Sequence, residues 1–207
     1  MIFEKKVRGR DMAKKVTRKT KSKIVSAAWK LFYDQGYENT TIEEIIAESG
    51  TSKGSFYHYF EGKDALLGSL SYMFDEKYEE LSENLTADMD SYEILLYLNR
   101  ELFLMIENTV DFDLLCRLFA TQLTTKGEKH LLDHNRVYYK LLRKIIVEGQ
   151  QKGELTEQMT PSEMVKYYAL CERGMMYDWC LSNGEYSLCE YAKSFMPFFL
   201  GKIRKSV

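Results

Sequence analysis

Residues 51–59 carry the side chains whose types and spacing point most directly to chemistry. Lys53 and Tyr57 are four residues apart, so they share one face of a helix, with Gly54 and His58 beside them. Lysine neutralises phosphate, glycine allows close backbone approach, and tyrosine and histidine offer hydrogen bonds to phosphates or base edges. This face therefore predicts contact with a groove of duplex DNA.

Two short helices and a tight turn must position that face. Thr41 is a favourable N-cap, and Glu44 three residues later completes a capping box. Gly50 follows the first helix, where a residue without a β-carbon ends a helix easily, and Thr51 or Ser52 caps the second. The pattern predicts a helix-turn-helix. A helical hairpin with an ordinary polar face is the alternative.

One further helix completes the predicted N-terminal domain, and another connects that domain to the rest of the chain. The first runs from about Thr20 to Gln35, and its apolar stripe should pack on the inward-facing Phe56 and Phe60. A fourth helix begins near Lys63 and continues past residue 80, with apolar residues at helical spacing.

These segments together resemble one family of bacterial regulators. A helix ending in glycine, followed by TTIEEIIAESG, SKGSFYHYF and KDALL, is similar to the tetracycline-repressor (TetR/AcrR) family over residues 18–68. The resemblance implies an all-α homodimer with a small DNA-binding domain and a larger domain for ligand binding and dimerisation. It also implies that Lys63 contacts a phosphate.

The charge distribution supports docking of one end of the chain on DNA. The net charge is −2, yet residues 1–30 contain 11 Lys and Arg against 2 Asp and Glu, which leaves −11 for the remainder. A basic end is attracted to phosphates, whereas an acidic remainder is repelled. A solvated charge run is the alternative. The expected DNA contacts are Arg18, Thr41, Thr51, Ser52, Lys53, Gly54, Ser55, Tyr57, His58, Tyr59 and Lys63.

The predicted organisation has three parts and about nine helices. Residues 1–16, which lack apolar periodicity, form a basic flexible arm; residues 17–63 form the helix-turn-helix domain; residues 64–207 form a helical ligand-binding and dimerisation domain. Within this last part, helices are predicted at Ser91–Glu107, Asp111–Thr124, Glu128–Lys152, Thr160–Ser182 and Ser187–Arg204.

Apolar residues of the C-terminal part suggest two roles beyond a core. Flat and adaptable side chains suit a small-molecule pocket, and the expected ligand contacts are Tyr97, Phe103, Phe119, Tyr138, Tyr168, Met176 and Trp179. Glu101, Glu172 and Asp178 can pair with a cationic ligand, but solvated or salt-bridged surface positions are the preferred interpretation. By the family resemblance, the last two long helices form the dimer interface, through Tyr167, Leu170, Tyr177, Leu181, Tyr191, Phe195, Phe198 and Phe199.

Several classes of protein are disfavoured. No apolar run is long enough for a membrane span. The four cysteines lack CxxC spacing and no secretory signal precedes them, which predicts a reduced, cytoplasmic protein. His130 and His134, four residues apart, are weak evidence for a metal site without a third ligand. No phosphate loop or nucleophile motif is present, so no enzyme activity, metal or cofactor is expected.

The sequence thus predicts a ligand-responsive transcriptional regulator, most simply a repressor. It would bind a palindromic double-stranded DNA operator as a homodimer and be released by a small hydrophobic or amphipathic effector. The alternative is a DNA-binding protein whose C-terminal domain responds to a protein partner or to cysteine oxidation.

Overall fold

The computed structural model describes residues 2–86, 88–126 and 129–205, and side chains from residue 19 onward. Over these ranges the chain forms ten α-helices and a single 3-10 turn, without a β-strand. The predicted all-α class, with an N-terminal helix-turn-helix and a larger helical part, is confirmed.

The helices are numbered in chain order, and the 3-10 turn lies between α7 and α8. Their bounds are α1 Ile2–Gln35, α2 Ile42–Ser49, α3 Lys53–Tyr59, α4 Lys63–Leu67, α5 Leu70–Glu83, α6 Ser91–Thr109, α7 Phe112–Thr124, the 3-10 turn His130–Leu132, α8 Val137–Gln151, α9 Pro161–Leu181 and α10 Leu188–Leu200.

Contacts divide the chain into two compact units, Met1–Ser69 and Leu70–Val207. In the first unit, α1 packs on α2 and α3. Its core is built from aromatic and aliphatic side chains that are almost fully buried: Ile24, Ala28, Phe32, Ile45, Phe56 and Phe60. Their helical spacing is what places the polar residues of α3 on the opposite face.

The second unit contains α5 to α10, and its best-defined helix starts have side-chain caps. Asp90 and Glu93 form a capping box on α6, and Thr160 and Glu163 form another on α9, with Pro161 at the first helical position. α6 packs along α10, while α8 packs on α5, α6 and α9. In the ranges described, no helix combines the length and apolar character needed to cross a membrane.

The fourth helix was predicted as continuous, and this prediction is wrong. The chain instead forms α4 and α5, with Gly68 and Ser69 between them. The Ser69 N–H donates to the Leu66 carbonyl at 2.9 Å, and the Ser69 hydroxyl donates to the same oxygen at 2.5 Å. Both hydrogen bonds connect residue i to residue i−3, so they tighten the turn and interrupt the α-helical hydrogen-bond pattern. The predicted fourth helix is therefore two helices, and the total is ten instead of about nine.

Two predicted helix starts also need correction. The helix predicted from Glu128 begins at Val137, because the Asp133 side chain accepts a 2.8 Å hydrogen bond from the Asn135 N–H and holds a turn there. Helix α1 is assigned from Ile2, earlier than the predicted Thr20. The backbone of residues 2–18 belongs to α1, but the side chains of residues 1–18 lie outside the described residues. The flexibility of the basic arm and the DNA contact of Arg18 therefore stay predictions.

Candidate nucleic-acid interface and buried ligand cavity

Local hydrogen bonds fix the geometry of the α2–turn–α3 segment. The Thr41 hydroxyl accepts from the Glu44 N–H at 3.2 Å, and the Glu44 carboxylate accepts from the Thr41 N–H at 2.7 Å. Donation to the carboxylate from the Thr41 N–H, and at 2.8 Å from the Thr41 hydroxyl, lowers the pKa of the Glu44 carboxyl. Gly50 then adopts φ 61°, a left-handed conformation that glycine reaches without strain, and Ser52 caps α3 by accepting from the Ser55 N–H.

Helix α3 has one buried and one exposed face. Phe56 is fully buried and Phe60 nearly so. The predicted DNA-contact residues occupy the other positions: Ser52, Lys53, Gly54, Tyr57 and His58 are exposed, and Thr51, Ser55 and Tyr59 are half-buried. The structure therefore brings these eight predicted residues to one short segment, with Lys53, Tyr57 and His58 open to solvent. Their contact with DNA stays a prediction.

Lys63 has an unexpected contact within the first unit. Its Nζ donates to the Tyr37 carbonyl at 2.7 Å and the Thr40 carbonyl at 2.9 Å, and lies 4.2 Å from the centroid of the Tyr37 ring. The Tyr37 hydroxyl in turn donates to Asp64. Lys63 thus fastens the start of α4 to the segment after α1. This structural role is separate from the phosphate contact that the family resemblance implies for Lys63. The phosphate contact stays a prediction.

Glu43 faces Lys53 across the turn. The carboxylate lies 3.4 Å from the Lys53 Nζ, and both side chains are more than two-thirds exposed. An exposed pair of this kind contributes little to stability and is readily exchanged for another partner. Lys53 therefore remains available to a phosphate.

The second unit contains a small, partly open cavity of about 30 Å³. Most of its lining is apolar, but it also includes two arginines and a glutamate. The lining residues are Phe74, Tyr78, Leu102, Phe119, Leu131, Arg136, Tyr138, Glu172, Arg173 and Met176. A wider groove of about 440 Å³ adjoins it and shares Phe119, Leu131 and Arg173.

Glu172 is the centre of a buried polar cluster at this cavity. Its carboxylate accepts from the Tyr138 hydroxyl at 2.7 Å and the Asn99 amide at 3.0 Å, and the Tyr78 hydroxyl lies 3.2 and 3.3 Å from its two oxygens. Burial raises the pKa of the Glu172 carboxyl, while these hydrogen bonds oppose the change. The expectation that Glu172 is a surface residue is wrong, because this position of α9 faces the core.

A second buried pair lies next to this cluster. The Arg136 guanidinium donates from Nε to Asp75 Oδ2 at 3.1 Å, from Nη2 to Asp75 Oδ1 at 3.0 Å, and to the Ser71 carbonyl at 2.8 Å. This bidentate geometry satisfies the buried charges of both residues. Arg136 and Asp75 are 61 residues apart, so no local sequence pattern pointed to them.

The predicted ligand residues separate into two groups. Phe119, Tyr138 and Met176 line the cavity. The other four do not line it: Phe103 and Tyr168 are fully buried core residues, Trp179 donates its indole N–H to the Tyr186 carbonyl, and Tyr97 is half-buried below Arg100. Sequence reasoning missed Tyr78, Asn99 and Arg136, whose helical spacing marks them only as inward-facing.

The last two helices expose a group of large apolar side chains. Leu170 and Leu181 of α9 are 60 and 65% exposed, and Phe198 of α10 is 80% exposed. The remaining members of the predicted interface are Tyr177 and Phe195, which are also exposed, and Tyr167, Tyr191 and Phe199, which are half-buried. Isolated exposed apolar residues are normal, whereas a group of this size indicates an interaction surface.

The cysteines and histidines form no obvious reactive centre. Burial, followed by contact with Cys116, raises the pKa of the Cys180 thiol to about 12, so it stays protonated at neutral pH. The thiolate is the nucleophilic form, and the cysteine-oxidation alternative therefore gains no support from this pair. Within the described residues, no three His, Cys, Asp or Glu side chains are grouped as a metal site.

A capped helix-turn-helix with an exposed basic and aromatic face, in a chain that also has a larger helical unit, defines a helix-turn-helix DNA-binding regulator. The comparisons agree. The model of the family described as "Bacterial regulatory proteins, tetR family" matches residues 24–70. Over these residues the chain matches the TetR family of transcriptional regulators.

Known relatives extend this similarity beyond the N-terminal unit. The HTH-type transcriptional regulator YvdT of Bacillus subtilis is 29% identical over 136 residues, which cover 65% of this chain and 69% of that protein. FadR from Bacillus subtilis, solved in complex with stearoyl-CoA, is 21% identical, with a TM-score of 0.64 over 88% of this chain and 98% of that one.

A further solved structure has the same fold. FadR from Thermus thermophilus, described as a TetR-family transcriptional repressor in complex with lauroyl-CoA, is 22% identical, with a TM-score of 0.71 over 87% of this chain and 93% of that chain. At this identity the two FadR likenesses show the fold alone.

Proposed function

We propose that this regulator is a repressor that binds a palindromic operator as a homodimer and is released by a small amphipathic effector. The exposed α3 face carries the proposal. Lys53, Tyr57 and His58 project from a helix whose other face is anchored by Phe56. Such a helix fits the major groove, where lysine meets phosphates and the aromatic polar groups meet base edges.

The DNA part of the proposal is tested with an operator selected from genomic fragments by the purified chain. Lys53→Ala should weaken binding to all sequences and reduce the slope of log K against log salt by about 0.9, the value for one phosphate contact. Tyr57→Ala and His58→Ala should also change the preferred base sequence.

Lys140→Ala, which removes an exposed lysine of α8, is the matched control and should leave the salt slope unchanged. Equal slopes for the Lys53→Ala and Lys140→Ala proteins would contradict the assignment of α3 to the DNA interface.

The exposed apolar group on α9 and α10 supports a homodimer. A self-complementary surface on each copy produces a two-fold axis, and two-fold symmetry places two α3 helices about 34 Å apart, in successive major grooves. The operator would then consist of two inverted half-sites about one helical turn apart.

Light scattering tests this interface directly. Phe198→Asp places a charge where the side chain is 80% exposed in the single chain, so the fold should survive while the dimer dissociates. Tyr33→Asp, at an equally exposed aromatic of α1, is the control and should leave the mass unchanged. A dimeric Phe198→Asp protein would place the interface elsewhere.

The apolar groove beside the Glu172 cavity supports a small-molecule effector. Its lining includes Leu123, Leu132 and Tyr177, and apolar grooves with a few polar groups are typical ligand sites. The two FadR structures contain acyl-CoA molecules, which makes a ligand with an apolar chain the first class to test.

Release is measured as the loss of operator binding during titration with such ligands. A true effector must bind the free protein more tightly than the DNA complex, because only differential affinity shifts the equilibrium. A ligand that binds the protein without changing operator affinity would contradict the effector role, although not the DNA-binding assignment.

A further inference from the structure

We infer that the Glu172 cavity accepts the protonated primary amine of a ligand whose single apolar chain lies in the adjoining groove. This inference rests on the proposed effector-binding function and specifies its ligand class. The acyl-CoA ligands of the two FadR structures carry anionic groups at the polar end, so the amine is a property argued from this chain's own residues.

The size of the cavity sets the first limit. At about 30 Å³ it has room for one water-sized group, whereas the neighbouring groove of about 440 Å³ has room for a chain. The two spaces share Phe119, Leu131 and Arg173. A ligand that lies in the groove can therefore reach the cavity with a single small terminal group, such as an ammonium.

The hydrogen-bonding chemistry of the cavity sets the second limit. The Glu172 carboxylate already receives donors from Tyr138, Asn99 and Tyr78, with Tyr78 shared between its two oxygens. A carboxylate offers about four acceptor sites, and each tyrosine oxygen retains an acceptor lone pair. The remaining capacity of this group is thus for donors, which matches an ammonium with three N–H groups and no acceptor.

The electrostatic environment favours a cation at Glu172. The carboxylate is 2% exposed, and every group that donates a described hydrogen bond to it is neutral. A buried charge is costly unless an opposite charge compensates it. A bound ammonium would supply that compensation.

Two arginines also line the cavity and define the rival ligand. The Arg136 guanidinium is committed to Asp75 and the Ser71 carbonyl. Arg173, whose Nη1 donates to the Tyr139 hydroxyl at 3.0 Å, lies where the cavity meets the groove. An anionic head would bind there, beside Arg173, whereas Glu172 would present it with a like-charged carboxylate.

The experiment compares four ligands with the same eight-carbon chain by calorimetry, below their micelle concentrations. They are n-octylamine, octyltrimethylammonium, octanoate and 1-octanol. Octylamine should bind most tightly, because the other cation is too large for a water-sized cavity, octanoate is repelled by Glu172, and octanol lacks charge. Binding of both cations with equal affinity would overturn the inference, since it would reflect general attraction to an acidic protein.

Glu172→Gln should weaken octylamine binding by about tenfold or more while sparing octanol, because a charge-assisted hydrogen bond is lost. Glu76→Gln, the same change at an exposed position of α5, is the matched control and should have no effect. Tyr138→Phe provides a second variant if Glu172→Gln destabilises the protein, and it should weaken octylamine in the same direction.

Arg173→Ala tests the rival directly. If octanoate binds more tightly than octylamine and Arg173→Ala abolishes that binding, the ligand head is anionic and the inference is wrong. Operator release is measured separately with the same ligands. Tight octylamine binding without release would leave the amine site standing and remove the effector role, so the two failures are distinguishable.

Discussion

The α3 face and the Glu172 cluster place polar residues in opposite settings. On α3, Lys53, Tyr57 and His58 are exposed above a buried aromatic layer. In the second unit, Glu172 and its tyrosine partners are buried and the apolar residues of α9 and α10 are exposed. Exposed polar groups are hydrated and can bind a partner at little cost, whereas a buried carboxylate needs hydrogen bonds from neighbouring side chains.

This contrast separates affinity from stability. Changes on the α3 face should alter binding and leave folding almost untouched, since surface substitutions usually change stability by about 0.5 kcal/mol or less. Changes beneath that face, or in the Glu172 cluster, act on the fold itself. Substitutions in each setting measure how cleanly affinity and stability separate.

The largest effect is expected for Phe56→Ala. Phe56 is fully buried below the α3 face, and removal of such a ring costs about 3–5 kcal/mol. The only two tryptophans lie one in each unit, Trp29 and Trp179, and their fluorescence reports on the units separately. In single-tryptophan proteins, denaturant unfolding seen by Trp29 should shift by this amount.

The transition seen by Trp179 should shift much less. Tyr57→Ala, at the adjacent exposed position, is the matched control and should move neither transition by more than about 0.5 kcal/mol. Equal shifts of both tryptophan signals in the Phe56→Ala protein would mean that the two units unfold as one.

The same contrast explains how much the sequence could predict. The α2–turn–α3 segment depends on contacts three or four residues apart, such as the capping box of Thr41 and Glu44, and these patterns are visible in the chain. The fold class and the exposure of the α3 face were therefore predictable, and the family resemblance added the larger helical domain.

The Glu172 cluster could not be predicted, because its members are far apart in sequence. Tyr78 and Glu172 are separated by 94 residues, and Asn99 and Glu172 by 73. Each is simply a polar residue on an amphipathic helix until the helices pack. The break at Gly68 and Ser69 was missed for a similar reason, since it depends on the Ser69 hydroxyl, which accepts from the Trp29 indole 40 residues away.

The next largest effect is the difference in stability between the Lys63→Ala and Lys53→Ala proteins. Lys63→Ala removes two hydrogen bonds from an ammonium to buried or half-buried carbonyls and should lower stability by about 2 kcal/mol. Lys53→Ala removes only an exposed ion pair and should change stability by about 0.5 kcal/mol or less.

Thermal unfolding and operator titration of both variants separate these roles. If Lys63→Ala lowered operator affinity with no loss of stability, its contacts with the Tyr37 and Thr40 carbonyls would be incidental and the phosphate role would be primary.

Two glycines should respond in opposite directions. Gly50 has φ 61°, so Gly50→Ala forces a left-handed alanine and should cost about 1 kcal/mol even though the added methyl meets no atom within 4 Å. Gly174 lies within α9, also with no atom in reach, and Gly174→Ala should stabilise the chain by about 0.5–1 kcal/mol. Thermal unfolding of both proteins gives the sign of each change in stability. Stabilisation by Gly50→Ala would contradict the left-handed conformation of Gly50 in this turn.

The smallest effect is a slope of stability against pH, and its sign differs between the two regions. Hydrogen bonds from Thr41 hold the pKa of Glu44 below its ordinary value, so the stability they provide is present above about pH 4.3 and is lost as the pH falls through the lower folded pKa. Burial raises the pKa of Glu172, so its contribution is present below that pH and is lost as the pH rises through the higher folded pKa.

Glutamine variants remove each titration without changing shape. Relative to wild type, Glu44→Gln should therefore become less destabilising below about pH 4, whereas Glu172→Gln should become relatively more stable above it. The flanking Tyr78 and Tyr138 hydroxyls stay neutral over this range, because burial raises the pKa of both. Parallel slopes for the two variants, measured by urea unfolding from pH 3 to 7, would show that the buried and exposed carboxyls are not held in the opposite ways that their contacts require.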